Sequence, residues 1–116
     1  AICHAAMILS NDLEINNIVI MTETGLTAMK MARYRPKARI FALCTREKVC
    51  SQLSLIWGLI PILVKSYSTT EKMIQNTGDL LKKHDYLKKG DSFIITAGVS
   101  AGISGSTNML KIHKVK

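Results

Sequence analysis

The 116-residue sequence is poor in aromatics, acids and cysteine, and it has no long apolar run. Cys3, Cys44 and Cys50 are too few, and odd in number, for a disulfide-stapled scaffold. They read as small core residues in a reduced setting, and a cytoplasmic location is expected. The most continuous apolar segment, residues 53–64, is broken by Ser54, Gly58 and Pro61, and it falls well short of the ~20 residues that span a bilayer. No membrane partner is expected. Residues 1–7 carry no basic leader ahead of an apolar run, so no secretory signal is expected either.

Chemistry-bearing clusters are scarce as well. His4, His84 and His113 fall on three different predicted elements, with His84 on an apolar helix stripe and His113 on the wet face of a strand. None has a ligand companion at i+3 or i+4, and there is no C-x-x-C, so no metal site is expected. Paired acids, a nucleophile elbow, a phosphate loop with its Lys, and a dinucleotide fingerprint leading into a helix are all missing.

What is present is cation and aliphatic surface. Lys and Arg number 16 against 8 Asp and Glu, for a net charge of +8, and 47% of residues are hydrophobic. Five cations, Lys30, Arg33, Arg35, Lys37 and Arg39, crowd a helix end, where they complement the helix dipole. A nucleic-acid surface would need stacking or groove-reading companions, and only Tyr34 and Phe41 are near; an anionic metabolite or a partner surface fits better, and no nucleic acid is expected. The chain is long enough to bury roughly two-thirds of its unfolded surface in one core, so residues 1–116 form a single domain.

Four short runs, 17–22 (NIVIMT), 39–44 (RIFALC), 59–64 (LIPILV) and 92–97 (SFIITA), are continuous in Ile, Val, Leu and Phe, as suits strands covered on both faces. Between them lie helical stripes: Val49, Leu53, Ile56 and Trp57, then Met73, Ile74, Thr77, Leu80, Leu81 and His84. Thr24, Thr45 and Ser68 with Glu71 are start signals for helices around 28–35, at 46–57 and before Met73, and Pro36 and Gly58 are stop signals. Residues 2–13 read as an opening helix without a cap, as expected of a domain cut from a longer chain, although a trimmed initiator Met would also leave Ala1 first. The tail 108–115 alternates Leu110 and Ile112 with Lys111 and His113, the pattern of an edge strand antiparallel to SFIITA. The sum is a three-layer α/β domain: a five-stranded, mostly parallel sheet with helices on both faces and the last strand antiparallel.

Two segments suit ligand binding. Thr22, Glu23, Thr24, Gly25, Leu26 and Thr27 leave the carboxyl end of the first strand and open a helix, where backbone N–H groups, the dipole and three hydroxyls favour a phosphate. Ordinary capping by Thr24 is the alternative. The Gly- and Ser-rich loop 98–107, with Gly98, Gly102, Ser104, Gly105 and Ser106, leaves another strand end, where doubly wound sheets gather ligands.

The order T-E-T-G-L-T-A (22–28), A-R-Y-R-P-K-A-R-I-F-A-L-C (32–44), W-G-L-I-P (57–61), K-K-G-D-S-F-I-I-T-A-G-V (88–99) and G-S-T-N-M-L-K-I-H (105–113) resembles the C-terminal domain of pyruvate kinase over essentially the whole chain. The compact 98–107 loop is more similar to bacterial members than to animal ones. The resemblance implies that phosphoryl transfer from phosphoenolpyruvate to ADP, with Mg²⁺ and K⁺, occurs elsewhere in the parent chain. This domain would be non-catalytic and hold no cofactor of its own. It would bind a phosphorylated effector on the 22–27 turn, under the 98–107 loop, and contribute contacts to a homotetramer. Glu23 stands where some sugar-bisphosphate-responsive members carry Lys, and 65–73 lacks their Trp and Arg, with Lys72 an approximate substitute. A pentose phosphate or nucleotide monophosphate therefore rivals a bisphosphate. An assembly module with an empty pocket is the alternative function.

Overall fold

A computed structural model of the chain describes residues 2–34, 36–65, 69–97 and 109–116. Among them the elements run α1 (Ile2–Leu13), β1 (Asn17–Thr22), α2 (Leu26–Arg33), β2 (Arg39–Cys44), α3 (Glu47–Leu53), β3 (Leu59–Leu63), α4 (Thr70–Lys83), β4 (Ser92–Ala97) and β5 (Met109–Lys114). The strands form one sheet in the order β3-β2-β1-β4-β5. The first four strands are parallel, and β5 runs antiparallel to β4. This is the sheet expected from the sequence. The chain winds outward from β1 to β3 and then crosses through α4 to the other side of β1, so the direction of winding reverses between β1 and β4.

Strand periodicity divides the core in two, because successive side chains point to opposite faces. Ile18, Ile20, Ile40, Ala42 and Ile94 meet Cys3 and Ala6 of α1, Ala28 and Met31 of α2, and Val49 and Leu53 of α3. Val19, Phe41, Leu43, Phe93 and Ile95 meet Met73, Ile74 and Leu81 of α4. Three helices therefore cover one face and α4 covers the other. Each fully buried Ile, Leu or Phe contributes roughly 1.5–3 kcal/mol.

Helix α1 keeps its expected bounds, and the later helices depart from theirs for local reasons. The α1 helix ends without glycine: Ser10 donates its hydroxyl to the Ile15 carbonyl at 2.6 Å, and the Ile15 N–H returns to the Ser10 carbonyl at 3.1 Å. The expected helix over 46–57 is only α3. After Leu53 the chain tightens into turns, with Ile56 N–H donating to the Leu53 carbonyl at 3.0 Å. Trp57, placed on the stripe by its spacing, is consequently exposed, and Gly58 (φ +90°) serves the turn into β3 instead of stopping the helix. Thr69 caps α4 by accepting from the Lys72 N–H at 3.2 Å; Ser68, expected in that role, lies outside the described residues.

Cysteine pairing is a correction. Cys44 at the end of β2 and Cys50 on α3 are joined as a disulfide, with Cα atoms 6.1 Å apart, and only Cys3 is a free thiol. The expectation of three core thiols fails because the strand-to-helix turn folds six residues back on themselves. That brings two positions chosen for apolarity within bridging reach.

Candidate functional site

The 22–27 turn is built from the strand end upward. Thr22 is the last residue of β1 and is buried, and its hydroxyl accepts the Gly25 N–H at 2.8 Å. Thr24 is exposed, and its hydroxyl accepts the Leu26 N–H at 3.4 Å. The cap of α2 is Gly25, not Thr24, and it makes no side-chain capping bond. Gly25 has φ +89°, and a Cβ added there would lie 3.1 Å from Leu53 Cδ2 and 3.5 Å from Val49 Cγ1. Both the backbone hand and the approach of α3 therefore demand glycine. Glu23 and Leu26 are exposed, and Thr27 is half-buried at the first turn of α2. The α2 helix has no acidic residue in its first turn and Lys30 and Arg33 in its last, so side-chain charge complements its dipole at the far end and not within its first turn.

The turn lies at the carboxyl edge of the sheet, beside the reversal between β1 and β4. Ile20 registers with Thr96, so the ends of β1 and β4 lie level to within about a residue. Thr96 is fully buried, and its hydroxyl finds no partner among the described residues. Gly98, Gly102, Ser104, Gly105 and Ser106 lie outside the described residues.

The basic run stands elsewhere. Asn17 registers with Arg39 and Thr22 with Cys44, so Arg39 marks the amino edge of the sheet, about 16 Å of strand from the turn. Lys30 and Arg33 lie toward the other end of α2. Arg39 is engaged structurally: its guanidinium donates to Asn17 Oδ1 at 3.0 Å and to the Tyr86 carbonyl at 2.9 Å, and it covers the rings of Phe41 and Tyr86. A cleft of about 410 Å³ opens at this amino edge, lined by Lys37, Arg39, Trp57 and Ile60 among others. The cations thus flank a different part of the surface from the anion turn, although sequence puts them on the helix that follows it.

The histidines remain dispersed. His4 is exposed 6.0 Å from the Tyr34 ring. His84 is exposed at the end of α4, off the buried stripe, because the helix closes there. His113 does not face solvent as expected: it packs edge-on against Phe93 at 5.4 Å, while Ile112 is the exposed neighbour. Burial, then Lys111 and Lys116, pull the His113 pKa below its ordinary value. Burial pushes the Cys3 thiol up, against smaller pulls from the amino terminus and Lys30. Among the described residues no three His, Cys, Asp or Glu side chains group as a metal site, and no helix is long and apolar enough to cross a membrane.

Sequence reasoning missed the Cys44–Cys50 link and the seating of α3 against Gly25. A six-residue cysteine spacing across a strand-to-helix turn was the available signal for the first.

Comparison with known proteins adds what geometry alone does not. The profile of the family described as pyruvate kinase, alpha/beta domain, matches residues 1–113. The chain is 39% identical to the pyruvate kinase of Clostridium acetobutylicum over 105 residues, covering 90% of this chain and 22% of that one. It is also 39% identical to that of Sporosarcina psychrophila over 115 residues, covering 99% and 20%. The crystal structure of a pyruvate kinase from Cryptosporidium parvum superposes with a TM-score of 0.86 at 28% identity, covering 99% of this chain and 22% of that one. The chain spans about a fifth of the length of these relatives. With the family profile covering nearly the whole chain, relatives at 39% identity and the same overall shape in a solved pyruvate kinase, the chain belongs to the pyruvate kinase alpha/beta domain family.

Proposed function

We propose that this domain is the regulatory portion of a pyruvate kinase, binding a phosphorylated effector at the 22–27 turn and contributing subunit contacts. The observation that carries this reading is the position of the turn: it joins a parallel strand's carboxyl end to the amino end of α2, beside the winding reversal, in a domain of this family. Thr22, Glu23, Thr24, Gly25, Leu26 and Thr27 would surround the phosphate, with Gly98, Gly102, Ser104, Gly105 and Ser106 closing over the remainder of the ligand. A sugar phosphate or a nucleotide monophosphate is the class expected. The exposed carboxylate of Glu23 disfavours a second phosphate on that side.

The parent enzyme's transfer of a phosphoryl group from phosphoenolpyruvate to ADP, its Mg²⁺ and K⁺, its homotetrameric assembly and its cytoplasmic location belong to the same proposal. The remainder of the chain and sister subunits are then the macromolecular partners. An effector acts on such an enzyme only through its differential affinity for two states, and substrate shifts effector affinity reciprocally.

Thermal unfolding of the 116-residue chain with fructose 1,6-bisphosphate, ribose 5-phosphate and AMP is the direct test. A ligand at about a hundred times its Kd raises Tm by roughly 10 °C for a domain of this size. No shift with any of the three at millimolar concentration overturns the effector reading.

A second reading, an assembly module with an empty pocket, is favoured by one observation: the Gly25 and Leu26 N–H groups are already taken by the Thr22 and Thr24 hydroxyls. Sedimentation separates the two. A ligand-blind dimer supports assembly, and a ligand-responsive monomer supports regulation.

A further inference from the structure

We propose that Cys44 and Cys50 form a reversible dithiol–disulfide site whose closure clamps α3 onto the 22–25 turn. The pair is not a scaffold staple. It spans six residues and ties the last residue of β2 to a seven-residue helix. A helix this short does not hold itself in water and depends on its tertiary contacts. Only two of its residues, Val49 and Leu53, are buried, and the same two that anchor it in the core lie against Gly25, at 3.5 Å and 3.1 Å from where a Cβ would stand. Opening the bond therefore frees α3 locally while the sheet stays intact, and the loosening is felt at the turn that begins α2.

Access and chemistry fit the role. Cys50 is part-exposed and Cys44 fully buried, so a reagent reaches one sulfur and the interior supplies the other. The oxidant is a low-molecular-weight disulfide. The Cys50 thiolate attacks one of its sulfurs, forming a mixed disulfide and expelling one thiol. The Cys44 thiolate then attacks the Cys50 sulfur, closing the ring and expelling the second thiol. Two electrons pass from the cysteine sulfurs to the reagent, and its two sulfurs leave carrying the two protons. Cys3, buried and with its thiol pKa raised, is a poor competitor for either step. In a reducing compartment such a pair is a responder, closing when the thiol pool is oxidised.

The test equilibrates the 116-residue chain with mixtures of reduced and oxidised glutathione, quenches with an alkylating agent and maps the peptides. Hydrogen exchange and thermal unfolding are recorded on the same samples. The expected product is a Cys44–Cys50 link lacking two hydrogen atoms, reversed by reduced glutathione. Closure should slow amide exchange in α3 and at Gly25 and Leu26 about tenfold and raise Tm by roughly 5 °C. Cys50→Ser should abolish the response, and Cys44→Ala should halt the reaction at the glutathione adduct. A stable adduct on Cys50 of the unsubstituted chain with Cys44 still alkylatable overturns the site, and that result needs no variant to fold. A link that forms but leaves exchange at Gly25 and Leu26 unchanged overturns the clamp.

Discussion

Gly25 carries more of the candidate site than its size suggests. Its positive φ hands the chain from β1 to α2, its N–H satisfies the buried Thr22 hydroxyl, and its bare Cα admits Leu53. Gly58 and Gly90 also have positive φ, but a Cβ at either would meet nothing within 4 Å. Gly25→Ala should accordingly cost about 2–3 kcal/mol, combining roughly 1 kcal/mol of backbone strain with a further cost for displacing Leu53. Gly58→Ala should cost about 1 kcal/mol. Urea denaturation of the two variants checks the difference, and equal losses would show that α3 does not press on the turn. This contact was not legible in the sequence. T-E-T-G-L-T announces a strand-to-helix turn at Gly25, but nothing in the order of residues says that the next helix in the chain will close over it.

At the scale of elements, the strands were the most legible part because burial on both faces writes itself as continuous apolar runs. NIVIMT, RIFALC and SFIITA became β1, β2 and β4 with their boundaries intact. Helices were less legible where spacing was the sole guide. Val49, Leu53, Ile56 and Trp57 keep helical spacing, yet the chain leaves the helix after Leu53, since β3 must begin at Leu59 in register with Ile40. Strand β5 shows the same limit. Alternation predicted a wet face, but an edge strand packed on α4 buries part of each side, and His113 is turned onto Phe93. That placement has a pH signature. The His113 pKa is lowered in the fold by burial, Lys111 and Lys116, whereas unfolded it is about 6.5. Between the two values the unfolded chain binds more protons, so stability rises with pH through that window and is lost as pH falls below about 6.5. Glu71 and Asp79 line the same cleft from α4 and supply the opposite charge to the two lysines. His113→Phe keeps the ring against Phe93 and removes the proton site. Urea midpoints taken from about pH 5 to 7.5 should slope upward for the parent chain and flatten for the variant. Parallel slopes would assign the pH dependence to the carboxylates instead.

For the whole molecule, the distribution of charge matters more than its sum. Net charge of +8 invites the thought that the chain draws anions everywhere, and the cluster from Lys30 to Arg39 invites placing them next to the anion turn. The parallel register decides otherwise. Arg39 opposes Asn17 at the amino edge while Thr22 opposes Cys44 at the carboxyl edge, so the length of β1, about 16 Å, separates the two features. That exceeds the screening length of about 8 Å at physiological ionic strength. The sequence could not separate them because it records neighbours along the chain, and a parallel strand–helix–strand unit returns the chain to the edge from which it set out. If the turn binds a phosphate, the exposed carboxylate that matters is Glu23, within the turn itself, and the cations that do not matter are Lys37 and Arg39. Glu23→Gln should tighten binding of whichever ligand responds, ribose 5-phosphate or AMP, by about two- to fivefold. Lys37→Gln should change it less than about 1.5-fold, and raising salt should weaken binding to the parent chain only modestly. Calorimetric titration of the parent and both variants at two ionic strengths measures all three effects. A large loss from Lys37→Gln with no gain from Glu23→Gln would move the ligand to the cleft at the amino edge, against Trp57 and Arg39.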